Sequence, residues 1–185
     1  MRRILALAAA MLVAGACGAT DDPFAGLPHI RFDWHPITGT SVAAIADALE
    51  SSADRPSGGG SSYGHTAWSI RWHWRGRGPG RLCRVFSADV TFGAVVTLPR
   101  LEEKSALDED AASRWAAFSQ AIARHEAGHA HLAHDGVPQL RRAILTANCD
   151  DADKKGRAVL HAIDRRQEAY DRETRYGATQ GAHFP

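Results

Sequence analysis

The 185-residue chain has almost no net charge: 22 lysines and arginines face 21 aspartates and glutamates, leaving a formal +1. That balance offers no match to the phosphates of a nucleic acid or to an anionic membrane surface, so no nucleic-acid partner is expected. Cysteine is scarce as well. There are three, and none stands in a Cys-x-x-Cys arrangement, which argues against a metal role for them. No segment repeats. The length, less a removable leader, suits one compact domain with a single core and leaves too little material for two.

What is present begins at the N-terminus. Met1-Arg2-Arg3, the apolar run from Ile4 to Val13 and the small residues Ala14-Gly15-Ala16 have the three parts of a secretory signal peptide. The mature chain is therefore expected to be exported. Cys17 follows directly and is a candidate for lipidation, which would leave a soluble domain tethered to a membrane; ordinary cleavage close by is the alternative. Setting Cys17 aside leaves Cys83 and Cys149, an even pair in an exported chain, expected to form a disulfide rather than remain two free thiols. The resulting layout is a signal peptide over 1–16, a linker over 17–28 and one domain over 29–185.

Within that domain His29 to Trp34 alternates apolar and polar residues, as a strand does. Ser41 is placed to cap a helix reaching about Leu49, with Val42, Ile45 and Leu49 on one stripe. The Asp54 to Ser62 stretch, with Gly58-Gly59-Gly60, reads as loop. Trp68, Ile70, Trp72 and Trp74 then share one parity, and after a turn at Gly76 to Gly80 so do Phe86, Ala88, Val90, Phe92, Ala94, Val96 and Leu98, with a possible bend at Gly93. These segments predict a small antiparallel sheet ending near Pro99. Helical periodicity follows over about Asp110 to His134, Pro138 to Ala147 and Asp151 to Arg175, with Gly177 as the last stop. Strands first and helices second give an α+β fold.

The first long helix carries the chemistry. Trp115, Phe118, Ile122, His125 and His129 recur at spacings of three and four, so both histidines continue an apolar stripe. Imidazoles four residues apart on one helix face can bind one ion together, and Glu126, one position round, can reach a water rather than the metal. The bland reading of the same pair is two hydrogen-bonded core histidines. Gly128 sits between base and second ligand, where a helix disfavours glycine by about 1 kcal/mol relative to alanine, and close approach of a neighbour or substrate would explain it. A third ligand in the metzincin spacing is missing: Leu132 and Asp135 occupy the required glycine and histidine positions, and His134 is one residue out of phase. His131 is expected to point away into solvent, as is His161. On the last helix Val159, Ile163 and Tyr170 mark the buried face, with Asp171 at its margin and Glu168 on the far side. Asp171 is thus a candidate ligand or a solvated helix-end carboxylate.

A tryptophan-rich strand, a Cys83 strand ending in Leu98-Pro99, Trp115 and Phe118 leading into His125-Glu126-x-x-His129, Cys149, and a closing Tyr170-Asp171-x-x-Thr174-x-Tyr176-Gly177 together resemble a bacterial family of predicted secreted zinc-dependent proteases, the domain of unknown function 922. The resemblance runs from about His29 to the C-terminus and implies a zincin-like fold. The family pattern usually has histidine where this chain has Tyr176, an exchange more natural for a donor to a transition-state oxyanion than for a metal ligand. The resemblance therefore implies Asp171 as the third ligand beside His125 and His129, in an arrangement like that of the aspzincins, whose spacing is shorter; His183 is a further candidate.

The expected function is zinc-dependent hydrolysis of a peptide or protein substrate, with one Zn2+ per chain on His125, His129 and Asp171, Glu126 as general base and Tyr176 as oxyanion donor. The protein would be periplasmic, extracellular or membrane-anchored. The competing expectation is a non-enzymatic exported lipoprotein with a structural metal or none, docking partners through the tryptophan face of its sheet.

Overall fold

In the computed structural model, residues 22–53, 62–102 and 107–185 are described; the expected signal peptide, Cys17 and the Gly58-Gly59-Gly60 stretch expected as loop lie outside them. The chain order is β1 (Ile30–Ile37), α1 (Val42–Ser52), β2 (His65–Arg77), β3 (Arg84–Leu101), α2 (Glu109–His134), α3 (Val137–Leu145) and α4 (Ala152–Thr174). This is the expected α+β arrangement of a small sheet followed by a helical half.

The sheet is mixed rather than antiparallel. Its order is β1-β3-β2, with β2 antiparallel and β1 parallel to the central β3. Alternation identifies a strand but carries no direction. β2 and β3 form a hairpin whose connection is residues 78–83, later than the expected Gly76 to Gly80 turn because Gly76 and Arg77 still pair with Val85 and Arg84, and β1, separated from that hairpin by α1, lies along the other side of β3. Ser41 caps α1 as expected, its hydroxyl accepting from the Ala44 amide at 3.3 Å.

Parity along β2 holds: Thr66 and Ile70 are buried while Ala67, Ser69, Arg71 and His73 are exposed. Along β3 it breaks at Phe86, which is 57% exposed. Ser87 pairs with Arg75 but Val85 pairs with Gly76, so Phe86 is an extra residue in a bulge. The slip turns Val85 inward and Phe86 outward, where the Arg77 guanidinium lies 5.6 Å from its ring. Gly93, expected to bend the strand, instead pairs regularly with Ser69.

Helices pack on the tryptophan face and leave Trp68, Trp72 and Trp74 half-buried. Trp72 packs on Gly156 of α4, and the indole N–H groups of Trp72 and Trp74 both donate to Asp153 Oδ1 at 2.9 Å. Those two donors hold the Asp153 carboxyl below its ordinary range. Asp22 to Pro28, expected to be linker, is a turn with Phe24 buried in the core, and its Pro23 carbonyl lies 3.0 Å from His131 Nε2. His131 is therefore half-buried and hydrogen-bonded rather than solvated. His161 is exposed, as expected. Among the described residues no helix is long and apolar enough to cross a membrane.

Cys83, just before β3, is disulfide-bonded to Cys149, in the loop between α3 and α4. The bond ties the hairpin turn to the helical half, reinforced by the Val85 amide donating to the Ala147 carbonyl at 3.4 Å. Closing a loop of 66 residues restricts the unfolded chain by about 4 kcal/mol. Replacing both cysteines by alanine is expected to lower the urea midpoint by an amount equivalent to about 2–4 kcal/mol, and an unchanged midpoint would show the bond to be idle.

Asp153 gives a pH signature. A carboxyl whose folded pKa is lowered stabilises the fold above its unfolded pKa and ceases to do so as pH falls through the folded value. Asp153→Asn should cost about 1 kcal/mol at pH 7 in thermal or denaturant unfolding, with the deficit closing below about pH 4. A deficit constant from pH 7 to pH 3 would contradict the ionic origin.

Candidate metal centre

α2 begins on an Asp108 cap, whose carboxylate accepts from the Ala111 amide at 2.7 Å, with Glu109 and Asp110 in the first turn. Its buried stripe runs Ala111, Trp115, Phe118, Ile122 and then His125 and Glu126, each only 1% exposed. The histidines thus arrive at the sheet on the phase that the apolar residues set.

α4 crosses the same place with its own stripe of Ile163, Gln167, Tyr170, Asp171 and Thr174. Asp171 Oδ1 lies 2.9 Å from His129 Nε2 and 3.4 Å from His125 Nε2, while the two Nε2 atoms are 3.3 Å apart. Among the described residues these three form a group able to hold a metal ion. Ligands about 2.0–2.1 Å from a tetrahedral ion sit about 3.4 Å from one another, so the separations suit a zinc-sized ion. Glu168 points away and is 70% exposed. His183 is exposed between the buried Ala182 and Phe184 and stands outside the group, so it is not the third member.

The hydrogen bonds behind the histidines fix which face of each ring carries a lone pair. Gln167 donates through Nε2 to the His129 carbonyl at 3.0 Å, which leaves its Oε1 facing His129 Nδ1 at 2.7 Å. Gln180, in the single 3-10 turn after α4, donates to the Tyr170 hydroxyl at 3.0 Å and turns its Oε1 to His125 Nδ1 at 2.9 Å. Each amide oxygen is an acceptor, so each imidazole donates from Nδ1 and, when neutral, presents a bare Nε2. Two lone pairs and a carboxylate oxygen then converge with no hydrogen between them. Only a proton on one ring or a cation relieves that repulsion.

The titration behaviour agrees. Burial disfavours a charged His129, but its hydrogen bonds to Asp171 and Gln167 and the nearby carboxylates of Asp171 and Glu126 together outweigh burial, and the His129 pKa is raised. Burial likewise pushes Asp171 up, and its bonds to His125 and His129 hold the carboxyl well below the usual carboxylate range. A metal bound here would displace the shared proton.

Glu126 lies beside the triad. Burial raises its pKa, opposed by the Thr66 hydroxyl, which lies 2.7 Å from Oε2 and 3.0 Å from the Glu126 carbonyl. Glu126, His129, Asp171 and Tyr176 together line one cleft of about 460 Å³ with His65, Thr66 and Trp68 of β2. Tyr176 reaches it because Arg175, Tyr176 and Gly177 all take positive φ, of 51°, 54° and 82°, which ends α4 abruptly. The Tyr176 amide closes on the Asp171 carbonyl at 2.8 Å, and the tail folds back to bury Phe184 against Trp115 and Phe118. Glycine at 177 is required twice over, by its φ and by the nearness of the His125 ring, 2.9 Å from where a methyl would stand. Gly128 is explained by Tyr170, whose hydroxyl occupies the space a β-carbon would need.

Sequence reasoning brought forward His125, Glu126, His129, Asp171 and Tyr176, and all five meet at this place. It missed the supports. Gln167 had a signal, lying one helical turn before Asp171, and Thr66 had a weaker one as a polar residue on the apolar parity of β2. Gln180 had none, since only the reversal at Gly177 delivers it to His125. Tyr170, expected merely as a buried-face residue, stacks on the His125 ring at 5.1 Å and meets the His129 ring edge-on at 5.0 Å.

Gln167→Leu and Gln180→Leu should each weaken zinc binding about 10–100-fold in a chelator competition, because each frees an imidazole to rotate or change tautomer. Affinity equal to that of the unaltered protein would refute the positioning role.

No curated protein and no solved structure matches this chain. A family model does, over residues 32–177, a span containing β1 almost entire, the triad and the closing Tyr176-Gly177. The chain belongs to the bacterial family of proteins of unknown function DUF922.

Proposed function

We propose that the protein is an exported zinc-dependent metallopeptidase. The observation that carries this reading is the convergence of His125 Nε2, His129 Nε2 and Asp171 Oδ1 within 3.4 Å of one another, beside the buried Glu126, in an open cleft. His125, His129 and Asp171 would hold the ion. Zinc, when bound, supplies Lewis-acid polarisation of a scissile carbonyl and makes water acidic enough to attack near neutral pH.

The chain's own residues do the rest. Glu126 takes the proton of the attacking water and passes it to the departing amine. Its raised pKa makes it a better base than a solvated carboxylate, and Thr66 keeps it aimed while the ion's ligands sit on the same helix. Tyr176, just after α4 and on the wall of the cleft, donates a hydrogen bond from its hydroxyl to the developing oxyanion. Gln167, Gln180 and Tyr170 hold the imidazoles so that neither ring turns during the reaction. The leader over 1–16 supports export, and a lipid on Cys17 would keep the domain at a membrane.

Glu126→Gln should retain stoichiometric zinc and lose peptide hydrolysis by at least about 100-fold, whereas Tyr176→Phe should lower kcat by about 10–100-fold with KM little changed. Measuring zinc content and steady-state rates on casein or a quenched peptide library tests both. Full activity in Glu126→Gln would remove the base; zinc loss in Tyr176→Phe would make Tyr176 a ligand instead.

A further inference from the structure

The sheet has two edges with different fates. β2, at one edge, lines the cleft, while β1, at the other, pairs only with β3 among the described residues. Ile30, Phe32 and Trp34 register with Ala94, Val96 and Leu98, so they belong to the face the helices cover. Yet the helical layer stops short of β1. Phe32 is 40% and Trp34 52% exposed, in an aromatic row that starts at the buried Phe24: Phe24 meets Phe32 edge-on at 5.0 Å and Phe32 stacks on Trp34 at 6.1 Å. An open strand edge bearing exposed aromatics is a template for another strand.

The sequence of that edge selects the strand. Ile30-Arg31-Phe32-Asp33-Trp34 has opposite charges placed symmetrically about Phe32. When two such strands pair antiparallel about Phe32, each Arg31 lies opposite the other chain's Asp33, the two Phe32 rings meet, and each Ile30 lies opposite a Trp34. Arg31 and Asp33, 70% and 52% exposed on the uncovered side of the sheet, lie 3.5 Å from each other within the chain, an exposed ion pair worth little that can be exchanged for those crossed pairs. Pro36, which has no amide hydrogen, ends the pairing segment on the far side.

We infer that the open edge of β1 binds a second copy of this chain, forming a two-fold dimer with a continuous six-stranded sheet. Both helical layers then lie on one side, and the Phe24–Phe32–Trp34 rows of the two chains close the gap between them. The clefts sit at the outer β2 edges and stay open. This inference is independent of the proposed peptidase activity.

Sedimentation velocity of the purified protein up to about 100 µM should show a reversible dimer. Asp33→Arg sets Arg31 against an arginine twice per dimer and should raise the dissociation constant about tenfold or more, as should Phe32→Ala, which leaves the charges alone. The double variant Arg31→Asp, Asp33→Arg restores opposite charges in both pairs and should recover the dimer. A monomeric parent protein at that concentration, a dimer undisturbed by Asp33→Arg, or a double variant no tighter than Asp33→Arg would overturn the inference. So would a monomer that instead binds phospholipid vesicles through Trp34, seen as a blue-shifted emission lost in Trp34→Phe.

Discussion

Two imidazole nitrogens and a carboxylate oxygen face one another across 2.9 to 3.4 Å, and each histidine has already given its Nδ1 hydrogen to a glutamine oxygen. Such an arrangement is repulsive until a proton or a cation enters it, so the folded protein carries a built-in demand for positive charge. Much of the helical half serves that constraint. α2 brings both histidines inward on its apolar stripe, α4 brings Gln167 and Asp171 one turn apart, and the three left-handed residues after α4 return the tail so that Gln180 meets His125. Tyr170 fills the space beside Gly128 and locks the two helices face to face.

The sheet contributes the rest of the cleft and the environment of Glu126. Thr66 is the single β2 residue hydrogen-bonded to that carboxylate among the described contacts, and it sits where the strand's apolar parity would otherwise place another hydrophobe. Burial raises the energy of an ionised Glu126, and the hydroxyl returns part of it. The same sheet is anchored at its far end by Asp153 under two indoles and by the Cys83–Cys149 bond. Site and anchors lie at opposite ends of β2, so the hairpin is held rigid along its length while the cleft end stays open.

Much of this was legible in the sequence, and the reasons differ by feature. Helical phase alone carries His125 and His129 to one face, and the same phase on the last helix puts Asp171 at the margin of the buried stripe. The disulfide followed from counting cysteines in a chain expected to be exported. What escaped depended on chain direction, on slips of one residue, or on returns of the backbone. Alternation could not say that β1 runs parallel to β3, nor that an extra residue at Phe86 reverses the parity of Val85. His131 looked like a surface residue because its partner, the Pro23 carbonyl, lies 108 positions away. Gln180 was invisible for the same physical reason, since a residue in a tail acquires a role only once the tail has somewhere to fold.

The central claim is that His125, His129 and Asp171 hold one metal ion through Nε2, Nε2 and Oδ1. Zinc K-edge X-ray absorption of the protein loaded with one equivalent tests it most directly. The account predicts two imidazole nitrogens and oxygen ligands at about 2.0–2.1 Å, with both imidazole contributions lost in the His125→Ala, His129→Ala double variant. Sulfur scattering, or a spectrum unchanged in that variant, would contradict it.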